Sequence, residues 1–149
     1  MSDVRKGRQI PTNEVILPYV NSHGKEAIDL YEKSGRKAQE WQQLLINDIL
    51  AYNDEGLWIH TKFGYSVPRR NGKNEVVAIR EIYGLFNGEA MLHTAHRTAT
   101  SSSAFKRLLK LITDSGLKEG DDFKVARQYG LEQIILFETN GSISFRTRT

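Results

Sequence analysis

Apolar residues recur with helical spacing in four stretches of the chain. They return every three or four positions within residues 25–33, 38–52, 74–86 and 104–114. This spacing puts the apolar side chains on one face, so each stretch is predicted to be an amphipathic helix packed on a core. A glycine-containing turn sequence follows each one and predicts where the helix ends.

Other stretches have the composition of strands. Residues 57–67 are rich in aromatic and β-branched side chains and predict an extended strand, and residues 89–94 predict a second, shorter one. Near the end of the chain, residues 133–138 and 142–147 flank an Asn-Gly pair at 140–141. Because Asn-Gly favours the tight turns that join antiparallel strands, a β-hairpin is predicted there.

Two stretches fit neither pattern. Residues 98–103 are rich in hydroxyl side chains and predict a loop that caps the following helix, while residues 117–130 predict a polar connection. The remaining order alternates helices with strands. That alternation favours an α/β fold with a parallel sheet flanked by helices, ending in the β-hairpin.

Composition narrows the class of protein only slightly. The chain has 149 residues, with 39% apolar and 26% charged side chains, which suits one globular domain. It contains no cysteine, which excludes disulfides and thiolate metal sites. No apolar run approaches the roughly 18 residues of a membrane span, so no membrane partner is expected. Residues 1–12 are predicted to be a flexible lead, and residues 13–149 form the domain.

The segment between the predicted strand 57–67 and the helix 74–86 resembles a phosphate-binding loop. The general pattern of such loops is G-x-x-x-x-G-K-[ST], and Gly72 and Lys73 match its second half. Gly72 allows the backbone to approach phosphates closely, and Lys73 supplies a positive charge. Val67 replaces the first glycine, and Asn74 replaces the Mg²⁺-binding hydroxyl residue, although an amide oxygen is also a hard ligand. The alternative interpretation is a solvated basic turn at the start of a helix.

The longer run from Phe63 to Glu75, FGYSVPRRNGKNE, resembles the ATPase motif of the large subunit of tailed-phage terminases. Three further segments are similar to that family: AQEWQ at 38–42, LHTAHRTAT at 92–100 and ISFRTR at 143–148. The resemblance covers most of residues 13–149. It implies an ASCE-type P-loop NTPase that hydrolyses Mg²⁺-bound ATP to move double-stranded DNA into a capsid, in the cytoplasm of the host cell.

The resemblance also implies roles for individual residues. Arg69 and Lys73 would be catalytic, with Arg69 acting on the γ-phosphate in cis, and Asn74 would help to hold Mg²⁺ through ATP. The implied nucleotide-binding residues are Gln42, Arg70, Asn71, Gly72, Lys73, Asn74 and Glu75. Either Gln42 or Gln39 would contact adenine, whereas Trp41 fits a core position better. A solvated pair is the plain alternative for Arg69 and Arg70.

The family also requires an acidic motif that this sequence lacks. One carboxylate of that motif holds Mg²⁺ and a second orients water, but Asp121-Asp122 follows no apolar run. The expectation is therefore an incomplete sheet, truncated before the acidic strand and without the nuclease domain. Such a fragment would bind ATP weakly and not hydrolyse it. In the whole protein, the family's partners are the terminase small subunit and the portal.

Two other functions stay open. The chain carries a net charge of +3, and basic residues at Arg97, Lys106, Arg107, Arg146 and Arg148 would suit a non-catalytic module that binds nucleic acid through phosphates. Another P-loop motor, such as a helicase, is the remaining alternative. A histidine metal site is disfavoured, because His93 and His96 would lie on opposite faces of a strand.

Overall fold

A computed structural model describes residues 7–69 and 72–148. Its helices are α1 (Gly24–Glu32), α2 (Glu40–Ile49), α3 (Lys73–Phe86) and α4 (Thr98–Asp114). All four predicted helices are confirmed. None of the helices in these two ranges is long and apolar enough to cross a membrane.

Helix α4 begins earlier than predicted. The hydroxyl-rich residues 98–103 form its first turns, so the predicted loop is wrong. Ser101 Oγ donates to Thr98 O at 3.0 Å, and the buried Ser102 Oγ donates to the carboxylate of Glu132 at 3.0 and 3.1 Å. Because the Ser102 hydroxyl finds its partner on another segment, it does not compete with the backbone hydrogen bonds of the helix.

The strands form two sheets. The small one pairs β1 (Asn21–Ser22) with β2 (Ala51–Tyr52), and the larger one contains β3 (Ala90–Ala95), β4 (Phe123–Ala126), β5 (Gln133–Leu136) and β6 (Ser142–Thr147). The larger sheet has the order β3-β6-β5-β4, in which only β3 and β6 are parallel. The predicted α/β class and the hairpin β5–β6 are confirmed. The prediction of a parallel sheet is wrong, because β4 and β5 turn the sheet into a mixed one.

The predicted strand over residues 57–67 does not form. Trp58 makes one isolated bridge with Tyr52, and residues 63–68 have no regular secondary structure. Trp58 and Tyr65 contact helix α3 instead. The ring of Trp58 lies edge-on to Tyr83 of α3 at 6.5 Å, and the guanidinium of Arg80 sits 5.6 Å from its centre. In this segment, aromatic residues of a kind that is typical of strands contact a helix.

Helices α3 and α4 cover one face of the larger sheet. Phe105 of α4 packs on Phe145 of β6, which is fully buried, while Leu92 on the opposite face is 66% exposed. Helix α3 runs antiparallel to β3, since Gly84 lies against Met91 while Glu81, earlier in the helix, contacts His93, later in the strand. A helix of 14 residues and a strand of 6 have similar lengths, so α3 begins near the carboxyl ends of β3 and β6.

Candidate functional site: the turn before helix α3

Gly72 forms the turn from which α3 starts. Its φ of +82° and ψ of +25° lie in the left-handed region, which favours glycine. A Cβ at this position would approach Gln42 Nε2 to 2.9 Å, so the close packing of α2 also favours glycine. The predicted tight turn is therefore present, although it follows an irregular segment and not a strand.

Two of the cationic residues predicted around this turn, Arg69 and Lys73, are solvent-accessible. Lys73 and Asn74 open α3 and are exposed, as is Arg69 on the other side of the turn. Gly72, as the N-cap residue, brings no side chain to cap the first N–H groups of the helix. Arg70 and Asn71 lie outside the described residues. The turn thus combines the first N–H groups of a helix, the positive end of the helix dipole and two exposed cations, Arg69 and Lys73.

Two side chains hold the carbonyl groups of the turn. Gln42 is buried in α2, and its Nε2 donates to Gly72 O at 3.0 Å while its Oε1 accepts from Gln39 N at 2.8 Å. The Tyr65 hydroxyl donates to Lys73 O at 2.7 Å. Burial, together with the nearby carboxylate of Glu81, raises the pKa of Tyr65 to about 12. Its hydroxyl therefore stays protonated and able to donate at neutral pH.

Glu75 connects the first turn of α3 to two other helices. Its Oε2 accepts from the hydroxyl of Tyr31 in α1 at 2.6 Å, and its Oε1 lies 3.8 Å from Arg107 Nε in α4. Burial and the hydrogen bond to Glu75 raise the pKa of Tyr31 well above its usual range. In this arrangement the Glu75 carboxylate anchors the start of α3 against α1 and α4.

A cavity of about 870 Å³ lies beside the residues that lead into the turn. It is lined by residues 7–16, by residues of α2 and its N-cap, and by residues between 60 and 68, among them Tyr65. Gln39 and Trp41 line it, and Trp41 Nε1 donates to Gln39 Oε1 at 2.9 Å. Trp41 also packs against the core, as predicted. Of the two glutamines proposed for adenine, Gln39 is on the cavity wall.

Several residues at this site carry no sequence signal that marks them. Gln9 accepts from Trp41 N at 3.2 Å, so the segment predicted to be a flexible lead closes one side of the cavity. Tyr65 and Tyr31 read simply as apolar residues of a strand and a helix. Each contacts the turn only because the tertiary fold brings distant segments together.

His93 of β3 and Glu81 of α3 form a part-buried pair. The His93 ring hydrogen-bonds to the Glu81 carboxylate and packs on Phe145. The hydrogen bond from Glu81 raises the pKa of His93, and burial raises the pKa of Glu81. Each shift favours the protonated form of the group concerned. Among residues 7–69 and 72–148, no group of three or more His, Asp or Glu side chains is arranged to hold a metal ion.

Known proteins give no further guidance to this site. Comparison of the chain with protein-family models, with curated proteins and with solved structures finds no match.

Proposed function

We propose that this chain binds the polyphosphate of a nucleotide at the turn before α3, as part of a DNA-packaging ATPase of the terminase type. Gly72 and the first N–H groups of α3 would surround the phosphates, and Lys73 would pair with their charge. Arg69 would stabilise charge on the γ-phosphate, and the amide oxygen of Asn74 would help to hold Mg²⁺.

The observation that carries the proposal is the left-handed Gly72 directly before a 14-residue helix, with exposed Lys73, Asn74 and Arg69 around it. This is the geometry in which backbone N–H groups and a helix dipole attract phosphate. The start of α3 also lies toward the carboxyl ends of the parallel strands β3 and β6. Ligands of α/β proteins commonly bind at that edge of the sheet.

Binding is a better test than hydrolysis. None of the six strands formed by the described residues contains Asp or Glu, so no strand among them supplies the carboxylate that such ATPases use for Mg²⁺. The cavity next to the turn is large enough for a nucleoside. Gln39, Trp41 and Tyr65 would form its wall around the base.

The test is calorimetric titration of the full chain with Mg·ATP. Lys73→Ala removes a charged partner of the phosphates and is expected to weaken binding about tenfold or more. Lys25→Ala is the matched control, because Lys25 is an exposed lysine in the first turn of α1. Equal affinity of the Lys73→Ala variant and the unchanged chain, or no binding by either, would contradict the proposal.

A second candidate function is non-catalytic binding of nucleic acid. It is favoured by a basic cluster, defined here as His96, Arg97 and Arg148, at the carboxyl ends of β3 and β6. All three residues are exposed, and Arg148 Nη2 lies 3.2 Å from His96 Nε2. Two exposed arginines at one end of a sheet suit contacts to the phosphate backbone of DNA.

A further inference from the structure

Gln42 is buried and hydrogen-bonded within the protein, which does not suit a side chain that recognises the base of a nucleotide. It is only 3% exposed, and its amide is used at both ends by the protein. Its Oε1 accepts from Gln39 N, while its Nε2 donates to Gly72 O. With one hydrogen bond of each kind formed and almost all of the residue buried, little of the Gln42 amide is left accessible to a ligand. The amide of Gln42 therefore serves mainly to hold the turn, through its hydrogen bond to Gly72 O.

Tyr65 makes the corresponding contact one residue further along. Its hydroxyl donates to Lys73 O at 2.7 Å from a segment that is separate from α2. Two side chains from two parts of the fold thus bind two consecutive carbonyl groups. Glu75 N also donates to Gly72 O at 3.2 Å, so the first of these carbonyls is held from both the helix and α2.

Because the peptide bond is planar, these contacts also determine the direction of the N–H groups of Lys73 and Asn74. The carbonyl of residue 72 shares a rigid plane with the N–H of Lys73, and the carbonyl of Lys73 shares one with the N–H of Asn74. In a trans peptide the two groups point in opposite directions. Fixing each carbonyl toward the protein therefore fixes the following N–H outward, toward the place proposed for phosphate.

We propose that Gln42 and Tyr65 are positioning residues, which orient the N–H groups of Lys73 and Asn74 by binding the carbonyl groups of Gly72 and Lys73. This inference rests on the proposed function for its ligand, the polyphosphate. It assigns Gln42 to the geometry of the phosphate site and not to recognition of the base. Preorganised donors bind an anion more tightly because no ordering cost remains at the moment of binding.

The experiment compares Mg·ATP, Mg·GTP and Mg·tripolyphosphate as ligands of the full chain. Gln42→Met removes the amide at similar size, and Tyr65→Phe removes only the hydroxyl. Each is expected to weaken ATP and tripolyphosphate by the same factor, about threefold to tenfold, with the ratio of ATP to GTP affinity unchanged. The double variant is expected to lose more than either single variant.

Gln43→Met is the matched control. Gln43 is the next residue of the same helix, and its Nε2 donates to Ala38 O at 2.9 Å, away from the turn. Its replacement therefore costs α2 a comparable hydrogen bond and is expected to leave both affinities unchanged. Thermal unfolding of each variant establishes that it is folded, and Tyr65→Phe carries the test should Gln42→Met not fold.

Amide dynamics provide a readout without any ligand. In the free protein, ¹⁵N relaxation is expected to show greater mobility of the Lys73 and Asn74 N–H groups in Gln42→Met and Tyr65→Phe, but not in Gln43→Met. Unchanged mobility overturns the positioning role whether or not nucleotide binds. Loss of ATP affinity with tripolyphosphate affinity intact overturns it too, because Gln42 would then read the base. Failure of the proposed function looks different, as Lys73→Ala would then be without effect.

Discussion

At the scale of single residues, the pairing of His93 with Glu81 is the contact that could be predicted least from the sequence. His93 alternates with exposed neighbours on β3 and reads as a surface or hydrogen-bonded histidine, and Glu81 lies in α3 among residues of ordinary helix type. In the fold they meet, with Arg107 and Arg80 as the nearest cations. A paired, buried charge is costly to separate, so these two residues depend on each other.

This pair predicts a pH dependence of stability. The pKa of His93 is raised above its ordinary value of 6.5, so above that pH the folded chain keeps a proton that the unfolded chain releases. The raised pKa of Glu81 acts in the same direction. The stabilisation is therefore fully present at low pH and is lost as pH rises through the folded pKa values.

Chemical unfolding across a pH series measures this effect. The difference in unfolding free energy between the unchanged chain and His93→Gln is expected to shrink as pH rises from about 6 to about 9. His96→Gln is the control, because His96 is exposed and only three residues away. A difference that stays constant or grows with pH would contradict a raised pKa of His93 in the folded chain.

At the scale of elements, the helices followed from local periodicity, whereas one predicted strand did not form and strand β4 was not predicted. The helices are fixed by apolar residues at three- and four-residue spacing, a signal that is contained within each segment. Residues 57–67 have the composition of a strand but do not form one, because Trp58 and Tyr65 contact helix α3. Strand β4 was missed for the opposite reason: Phe123 is its one fully buried residue, and a polar stretch surrounds it.

Apolar residues on the helix-covered face of the larger sheet are expected to contribute more to the free energy of unfolding than those on the opposite face. Ile143 of β6 is 1% exposed and faces α3 and α4, whereas Leu92 on the neighbouring β3 is 66% exposed on the other face. Ile143→Ala is expected to cost about 2–5 kcal/mol of unfolding free energy, because apolar burial is reduced and a cavity remains. Leu92→Ala is expected to change it by about 1 kcal/mol or less.

Urea unfolding of both variants measures the two changes in unfolding free energy. The comparison requires that the free energy depends on urea concentration with the same slope in both variants. Leu92 serves as the matched control, since both substitutions shorten a branched aliphatic side chain on adjacent strands. Comparable losses at the two positions would mean that the face carrying Leu92 is covered in solution.

At the scale of the whole molecule, two candidate surfaces lie toward the same end of the larger sheet. The turn with Lys73 and Arg69 begins α3, and the basic cluster of His96, Arg97 and Arg148 follows β3 and β6. A net charge of +3 favours polyanions in general and does not distinguish a nucleotide from DNA. Substitutions that address one surface at a time separate these functions.

Double-stranded DNA binding by the basic cluster is expected to be independent of the nucleotide turn. Replacing Arg97 and Arg148 with Gln should weaken DNA binding and reduce the slope of log affinity against log salt by about 0.9 for each phosphate that is no longer neutralised. Lys73→Ala should leave DNA binding unchanged. Fluorescence anisotropy of a labelled duplex over a salt series measures both. A salt slope unaffected by the Arg97 and Arg148 changes would exclude the cluster as the DNA-binding surface.

The sequence by itself determined the four helices, the C-terminal hairpin and the tight turn at Gly72. Each of these depends on residues close together in the chain: apolar periodicity, an Asn-Gly pair, and a glycine that can adopt a left-handed conformation before a helix. The candidate cations Arg69 and Lys73 could be named for the same reason, because they flank that glycine closely.

Only the tertiary structure decided the mixed order of the sheet, the cavity wall formed by residues 7–16, and the contacts of Gln42, Tyr65 and Glu75. These depend on which distant segments pack together. Gln42 lies 30 residues from Gly72 along the chain, and Tyr31 lies 44 from Glu75. A local pattern records that such side chains can form hydrogen bonds, but packing of the whole chain selects the partner.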